Sequence, residues 1–260
     1  MSKAAIKKFR SEKADCLRKF GSELYSLGGI RDKKPFEDAY LQCLNGPIPD
    51  VKGIQVDKSC SWGYSLSNVI FTLQANRKIK NLKPDGVQLA SIQMNALVIG
   101  NFISNQNHIE DPLAHLEFNL LIKGAMSKNE SVICSWHLDR HLVSANSPED
   151  VHPIYHLQYG GKNLKLEDGT FQYGSNFILD IPRFAHLPLD GVLGADFILS
   201  NFFGEFRNKC CSDSSAYCKY IAESQNSFWR PYILASSNHW STFAPTGYDW
   251  PAVNILPQLI

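Results

Sequence analysis

Residues 116–122, Leu116-Glu117-Phe118-Asn119-Leu120-Leu121-Ile122, decide the fold class. Leu116, Phe118, Leu120 and Ile122 alternate with Glu117 and Asn119, the two-residue period of a strand with one buried and one polar face. Gly124 to Glu130 supplies a turn, and Val132, Cys134, Trp136 and Leu138 repeat the alternation in a second strand that runs to His141. A third strand is expected from His152 to Tyr159, closed by Gly160-Gly161. A fourth spans Phe177 to Ile181, after a turn at Lys165 to Thr170, and stops at Pro182. The segment predicts an antiparallel sheet of about four strands over 116–181.

Working outward, the period changes to that of a helix. From Lys3 to Leu27, apolar residues recur at Ile6, Phe9, Cys16, Leu17, Phe20, Leu24 and Leu27, and Gly28-Gly29 stops the run. A second helix is expected from Pro35 to Leu44, followed by turns at Asn45-Gly46-Pro47 and Pro49-Asp50. Ser65 to Ile79 and Val87 to Ile103 carry apolar clusters that fit either a buried helix or a buried strand, with helix the preferred reading for both, and Pro84-Asp85-Gly86 separates them as a turn. Asn105 to Pro112 reads as a polar loop. After Pro188, Val192, Leu193, Phe197 and Phe202 predict a helix ending at Gly204. Ser212 or Asp213 can cap another, carrying Tyr217, Ile221 and Phe228 before Pro231. The fold expected is α+β: a helical N-terminal half, a central antiparallel sheet, and C-terminal helices packed on the sheet. Nothing forces a split, so one domain is expected, with sub-regions 1–112, 113–183 and 184–260.

Composition narrows the function classes. Lys plus Arg number 26 against 25 Asp plus Glu, so the net charge of +1 provides no whole-molecule field for nucleic acid or an anionic membrane. The basic N-terminus, Lys3 to Lys19, reads as a solvated helix face. No leader-like segment and no apolar run of about 20 residues appears, so a soluble cytoplasmic protein is expected. Seven cysteines at irregular spacing are not a disulfide framework, and Cys210, Cys211 and Cys218 lack the paired spacing of a zinc site. There is no Walker or dinucleotide glycine pattern, no Gly-x-Ser-x-Gly and no His-Glu-x-x-His.

The chemistry-bearing feature is a set of histidines. Six of eight fall between His108 and His156, and four form the pairs His137/His141 and His152/His156. On strands, alternation puts His137, Asp139 and His141 on one face, and His152, His156 and Gln158 on one face of the next. A symmetric register would set His141 opposite His152 and His137 opposite His156, with Cβ atoms about 4.5–5.5 Å apart. Positions four apart on a strand are separated by about 13 Å, so one pair alone can be the centre. The expected site is therefore a divalent metal ion, zinc or manganese, held by His137 and His156 with His186 as a third nitrogen ligand. Asp139 assists, and Asp190 or Asp196 serves as carboxylate or general base. Either Arg140 or Arg183 would clamp a phosphate-containing substrate, a phosphodiester first among the choices. The expected activity is metal-assisted hydrolysis, with a nuclease as one form.

The competing reading is a non-catalytic subunit of a protein complex. Phe228, Trp229, Tyr232, Trp240, Phe243, Tyr248 and Trp250 form an aromatic C-terminal region suited to a protein partner or to self-association. The order helix, strand meander, His152-Pro153, helices is loosely similar to that of ubiquitin-conjugating enzymes. Ile154 stands where that family has an asparagine after His-Pro, and the next cysteine is Cys210, so conjugating activity is not implied.

Overall fold

The fold was read from a computed structural model that describes residues 3–57, 60–71, 88–102, 109–125, 131–140, 153–160, 164, 183–240, 250–256 and 259. Two helices come first, α1 (Lys3–Ser26) and α2 (Lys34–Asn45), then six strands: β1 (Ser61–Phe71), β2 (Gln88–Asn101), β3 (Leu113–Ala125), β4 (Ser131–Arg140), β5 (Tyr155–Tyr159) and β6 (Phe184–Ala185). They form one antiparallel sheet in the order β1-β2-β3-β4-β5-β6. Helices α3 (Gly191–Phe202), α4 (Gly204–Asp213) and α5 (Ser215–Ser224) follow. A π-helical turn (Gln225–Trp229) joins α5 to α6 (Arg230–Ser237), and α7 (Ala252–Ile255) comes last. The α+β architecture is as expected, but the sheet has six strands among the described residues where about four were predicted.

The two additional strands correct the helices expected at Ser65 and Val87. In β2, Ile92, Met94, Ala96 and Val98 are buried while Gln93, Asn95 and Leu97 are half-buried, a period of two. In β1, Trp62, Tyr64 and Leu66 are buried until a register shift between Leu66 and Val69, where Asn68 takes φ 58°. The expected turns at Pro84-Asp85-Gly86 and Lys165 to Thr170 and the strand at Phe177 to Ile181 lie outside the described residues, apart from Leu164 just before them.

The helices cover the face of the sheet that carries Tyr64, Leu66, Phe118, Leu138 and Tyr155. Phe197 of α3 meets Phe118 edge-on at 6.2 Å, Phe228 meets Trp62 at 6.2 Å, and Tyr232 of α6 meets Tyr155 at 6.0 Å. Close approach here needs glycine, because a Cβ on Gly194 would stand 2.6 Å from Phe118 Cε2. Asp190 caps α3 by accepting from Leu193 N at 2.9 Å, and Ser214, not Ser212 or Asp213, caps α5 by accepting from Tyr217 N at 3.2 Å. Pro231 does not end the helical run but stands at the start of α6, directly after the π-helical turn.

The outer edge of β1 is engaged at Ser65, Ile70 and Phe71. Gln42 Oε1 of α2 accepts from Ser65 N at 2.9 Å, Arg31 N donates to Ile70 O at 2.9 Å, and Ile30 bridges Phe71. The opposite edge strand, β6, is two residues long. Among the described residues no helix is long and apolar enough to cross a membrane.

Candidate functional site

The face of the sheet turned away from these helices is polar. Directly opposed residues of antiparallel strands project to the same side. The register pairs Glu117 with Asp139, Asn119 with His137 and Leu121 with Ser135 between β3 and β4. Between β4 and β5 it pairs Asp139 with His156 and His137 with Gln158. His115, two residues before Glu117, falls on the same face. Three imidazoles and two carboxylates thus lie on three adjacent strands.

This surface is far from fully solvated. His115, Ser135, His156 and Gln158 are all buried, and the His137 side chain is 15 % exposed. His137 Nε2 lies 3.6 Å from Asp139 Oδ2, and His115 Nε2 lies 3.4 Å from Glu117 Oε1. The second contact is within ion-pair range but lacks hydrogen-bond geometry. Both ring nitrogens of His115, together with Ser135 Oγ and His137 Nδ1, are buried without a hydrogen-bond partner among the described residues. Leaving such groups unsatisfied costs about 1–3 kcal/mol each. Opposing Glu117 and Asp139 across two strands adds like-charge repulsion, which nearby imidazoles can relieve when protonated.

Among the residues expected at the site, His137, Asp139 and His156 share this face. The expected register was out by two positions, since His156 faces Asp139 and His137 faces Gln158. His186 does not join them. It follows Ala185, the partner of His156, and therefore projects to the helix side, where its ring meets Phe197 edge-on at 5.5 Å and its Nδ1 donates to Leu187 O at 2.7 Å. Burial lowers its pKa, favouring the neutral ring.

Arg140 also projects to the helix side. Its Nε donates to Asp111 Oδ2 at 2.8 Å, and Asp111 Oδ1 accepts from the Tyr155 hydroxyl at 2.6 Å. Burial raises the Asp111 pKa, with Arg140 and Tyr155 pulling it back. The Tyr155 phenol is pushed well up by burial and by the Asp111 carboxylate, so it stays a donor. Asp190 is the α3 cap and also accepts from Ser224 Oγ at 3.3 Å, and Asp196 takes both Arg207 and the Tyr217 hydroxyl. Arg183 stands immediately before β6, half-buried and already engaged. His141 and His152 lie outside the described residues.

The expected metal ion is overturned. Among the described residues no group of three or more His, Cys, Asp or Glu is arranged to hold one, and the register and the placement of His186 give the reason. His115 and Glu117 were not anticipated as site residues, although their alternation with Leu116 and Phe118 puts them on the polar face.

Comparison with protein-family models, with curated proteins and with solved structures gives no match. The site's own geometry is what bears on function.

Proposed function

We propose that this chain is a hydrolase that works by metal-independent general acid–base catalysis on the polar face of the sheet. The observation that carries the reading is the set of buried, unsatisfied polar atoms at His115, Ser135 and His137, on the face that also holds His156, Glu117 and Asp139. Buried polar groups without partners are costly, and they concentrate where a substrate supplies the missing partner.

In this reading His137 and His156 divide the proton transfers. One neutral imidazole takes the proton of the attacking water or hydroxyl, the other, protonated, gives one to the leaving oxygen, and Asp139 stabilises whichever ring is cationic. A monoanionic phosphodiester suits the pair better than a dianionic monoester, because Glu117 and Asp139 repel a second negative charge. With Arg140 committed to Asp111, the anion would be met by imidazole N–H groups and the Ser135 hydroxyl.

A panel of chromogenic phosphodiesters, assayed with a chelator present, tests the reading. His137→Gln and His156→Gln should each lower kcat/KM by about 100-fold or more, with unchanged circular dichroism, while His239→Ala is silent. Unaltered rates in both glutamine variants would sink it, and loss of activity on chelation would show that a metal is needed after all.

A second reading keeps an observation of its own. Phe228, Tyr232 and Trp250 are buried, but Trp240 is 70 % exposed and Ile233 51 %. They lie two turns apart along consecutive helical segments, on nearly the same side. As a non-catalytic subunit, the chain would present this surface to a partner or to a second copy of itself. Trp240→Ser should then lower the mass found by light scattering or abolish recovery of a partner, and a variant unchanged in both respects ends that reading.

A further inference from the structure

A second site lies on the helix side, independent of the polar face. Helices α1 and α5 and the π-helical turn flank an open groove of about 430 Å3, whose lining includes Lys13, Cys16, Tyr220, Glu223 and Ser227. The amine of Lys13 donates to Ser227 Oγ at 2.6 Å, and that hydroxyl in turn donates to Glu223 O at 2.8 Å. On its other side the amine lies 4.7 Å from the Phe228 ring centroid and 5.9 Å from that of Phe9. Lys13 is half-buried and keeps surface open to the groove.

The π-helical turn is part of the arrangement. An otherwise α-helical run from Ser215 to Ser237 is widened at Gln225–Trp229, and that insertion carries Ser227 and Phe228, two of the groups around the amine. Such single π turns occur often at functional sites. The titratable groups acting on Lys13 are Cys16 on its own helix, Cys43 on α2, Asp190 at the start of α3 and Glu223 on α5. Burial outweighs their attraction, and the amine is more easily deprotonated than an ordinary lysine. Once it has given up its proton, an amine with open space in front of it is a nucleophile.

We propose that Lys13 is an imine-forming amine and that the groove binds a small aldehyde or ketone carrying an anionic group. Exposed Lys19 and Lys219 also line the groove, beside the carboxylates of Glu12, Asp15 and Glu223. Lys219 Nζ lies 3.9 Å from Glu223 Oε1, a solvent-exposed pair that an incoming anion would compete with, and the two lysines would hold the anion. The step balances without an oxidant or a reductant. The amine nitrogen attacks the carbonyl carbon to form a C–N bond, and a proton passes from nitrogen to oxygen to give a carbinolamine. Departure of that oxygen as water, with the second amine proton, leaves the imine.

The test uses the full wild-type chain with limiting pyridoxal 5′-phosphate near neutral pH, borohydride reduction and peptide mapping. Lys13 should carry the pyridoxyl group at about tenfold excess over any other lysine, and the preference should vanish in urea. Label spread over surface lysines with Lys13 unmodified overturns the proposal. Lys19→Ala combined with Lys219→Ala should lower labelling by pyridoxal phosphate but not by glyceraldehyde. An equal response of the two reagents overturns the anionic part.

Discussion

Asp111→Ala is expected to cost about 3–5 kcal/mol of folding free energy, because it leaves the Arg140 guanidinium buried without its counter-charge. The Arg140 side chain is 17 % exposed and that of Asp111 12 %, so water cannot take over the lost contacts cheaply. The same substitution orphans the Tyr155 hydroxyl and the Leu113 N–H, which donates to Asp111 Oδ1 at 3.1 Å. Asp111→Asn keeps acceptors for these two donors and should lose less. Urea unfolding of the three proteins checks this, through the midpoint at constant slope. A loss below about 1 kcal/mol in the alanine variant would mean that the ion pair is solvated. The triad also matters to the polar face behind it. Arg140 adjoins Asp139 and Tyr155 adjoins His156, so fixing Arg140 and Tyr155 on one carboxylate holds β4 and β5 in the register that sets Asp139 against His156.

Phe118→Ala should be comparably severe, about 3–5 kcal/mol, as truncations of buried phenylalanine are. Phe118 is fully buried at the middle of β3, against Phe197 and next to Gly194. Gly194→Ala alone should cost about 1–3 kcal/mol through overpacking, less whatever the helix gains from alanine. In the double variant the new methyl finds the room that the ring has vacated. The combined loss should therefore fall short of the sum by about 0.5–3 kcal/mol, and simple additivity would mean that the two positions do not touch.

Much of this arrangement can be read from residue order, and the misreadings have physical causes. Glu117 and Asn119 between leucines gave β3 without ambiguity. In β2, Ile92, Met94 and Ala96 alternate with Gln93 and Asn95, but Ala96-Leu97-Val98-Ile99 breaks the pattern because Leu97 and Ile99 put apolar groups on the polar face as well. A continuous apolar run does not distinguish strand from helix. The expected hairpin register came from loop symmetry, whereas the pairing in the structure goes with a residue outside the hairpin, Asp111, which no local pattern exposes. Arg140 and Asp139 are separable by order alone, since neighbours on a strand face opposite ways. Asp190, directly before a helix, carried the ordinary signal of a cap. His115 was legible by parity alone, two positions before Glu117.

The two ends of the sheet bear on how the protein behaves when concentrated. An open strand edge is a template on which a second molecule can add its own strand, and repetition of that event builds fibrils. Here Gln42 and Arg31 take up the Ser65 amide and the Ile70 carbonyl of one border strand, and the other border strand is two residues long among the described residues. At those positions of the two borders a second molecule would have to displace an existing contact, or would find too few pairing groups, before its own strand could add on.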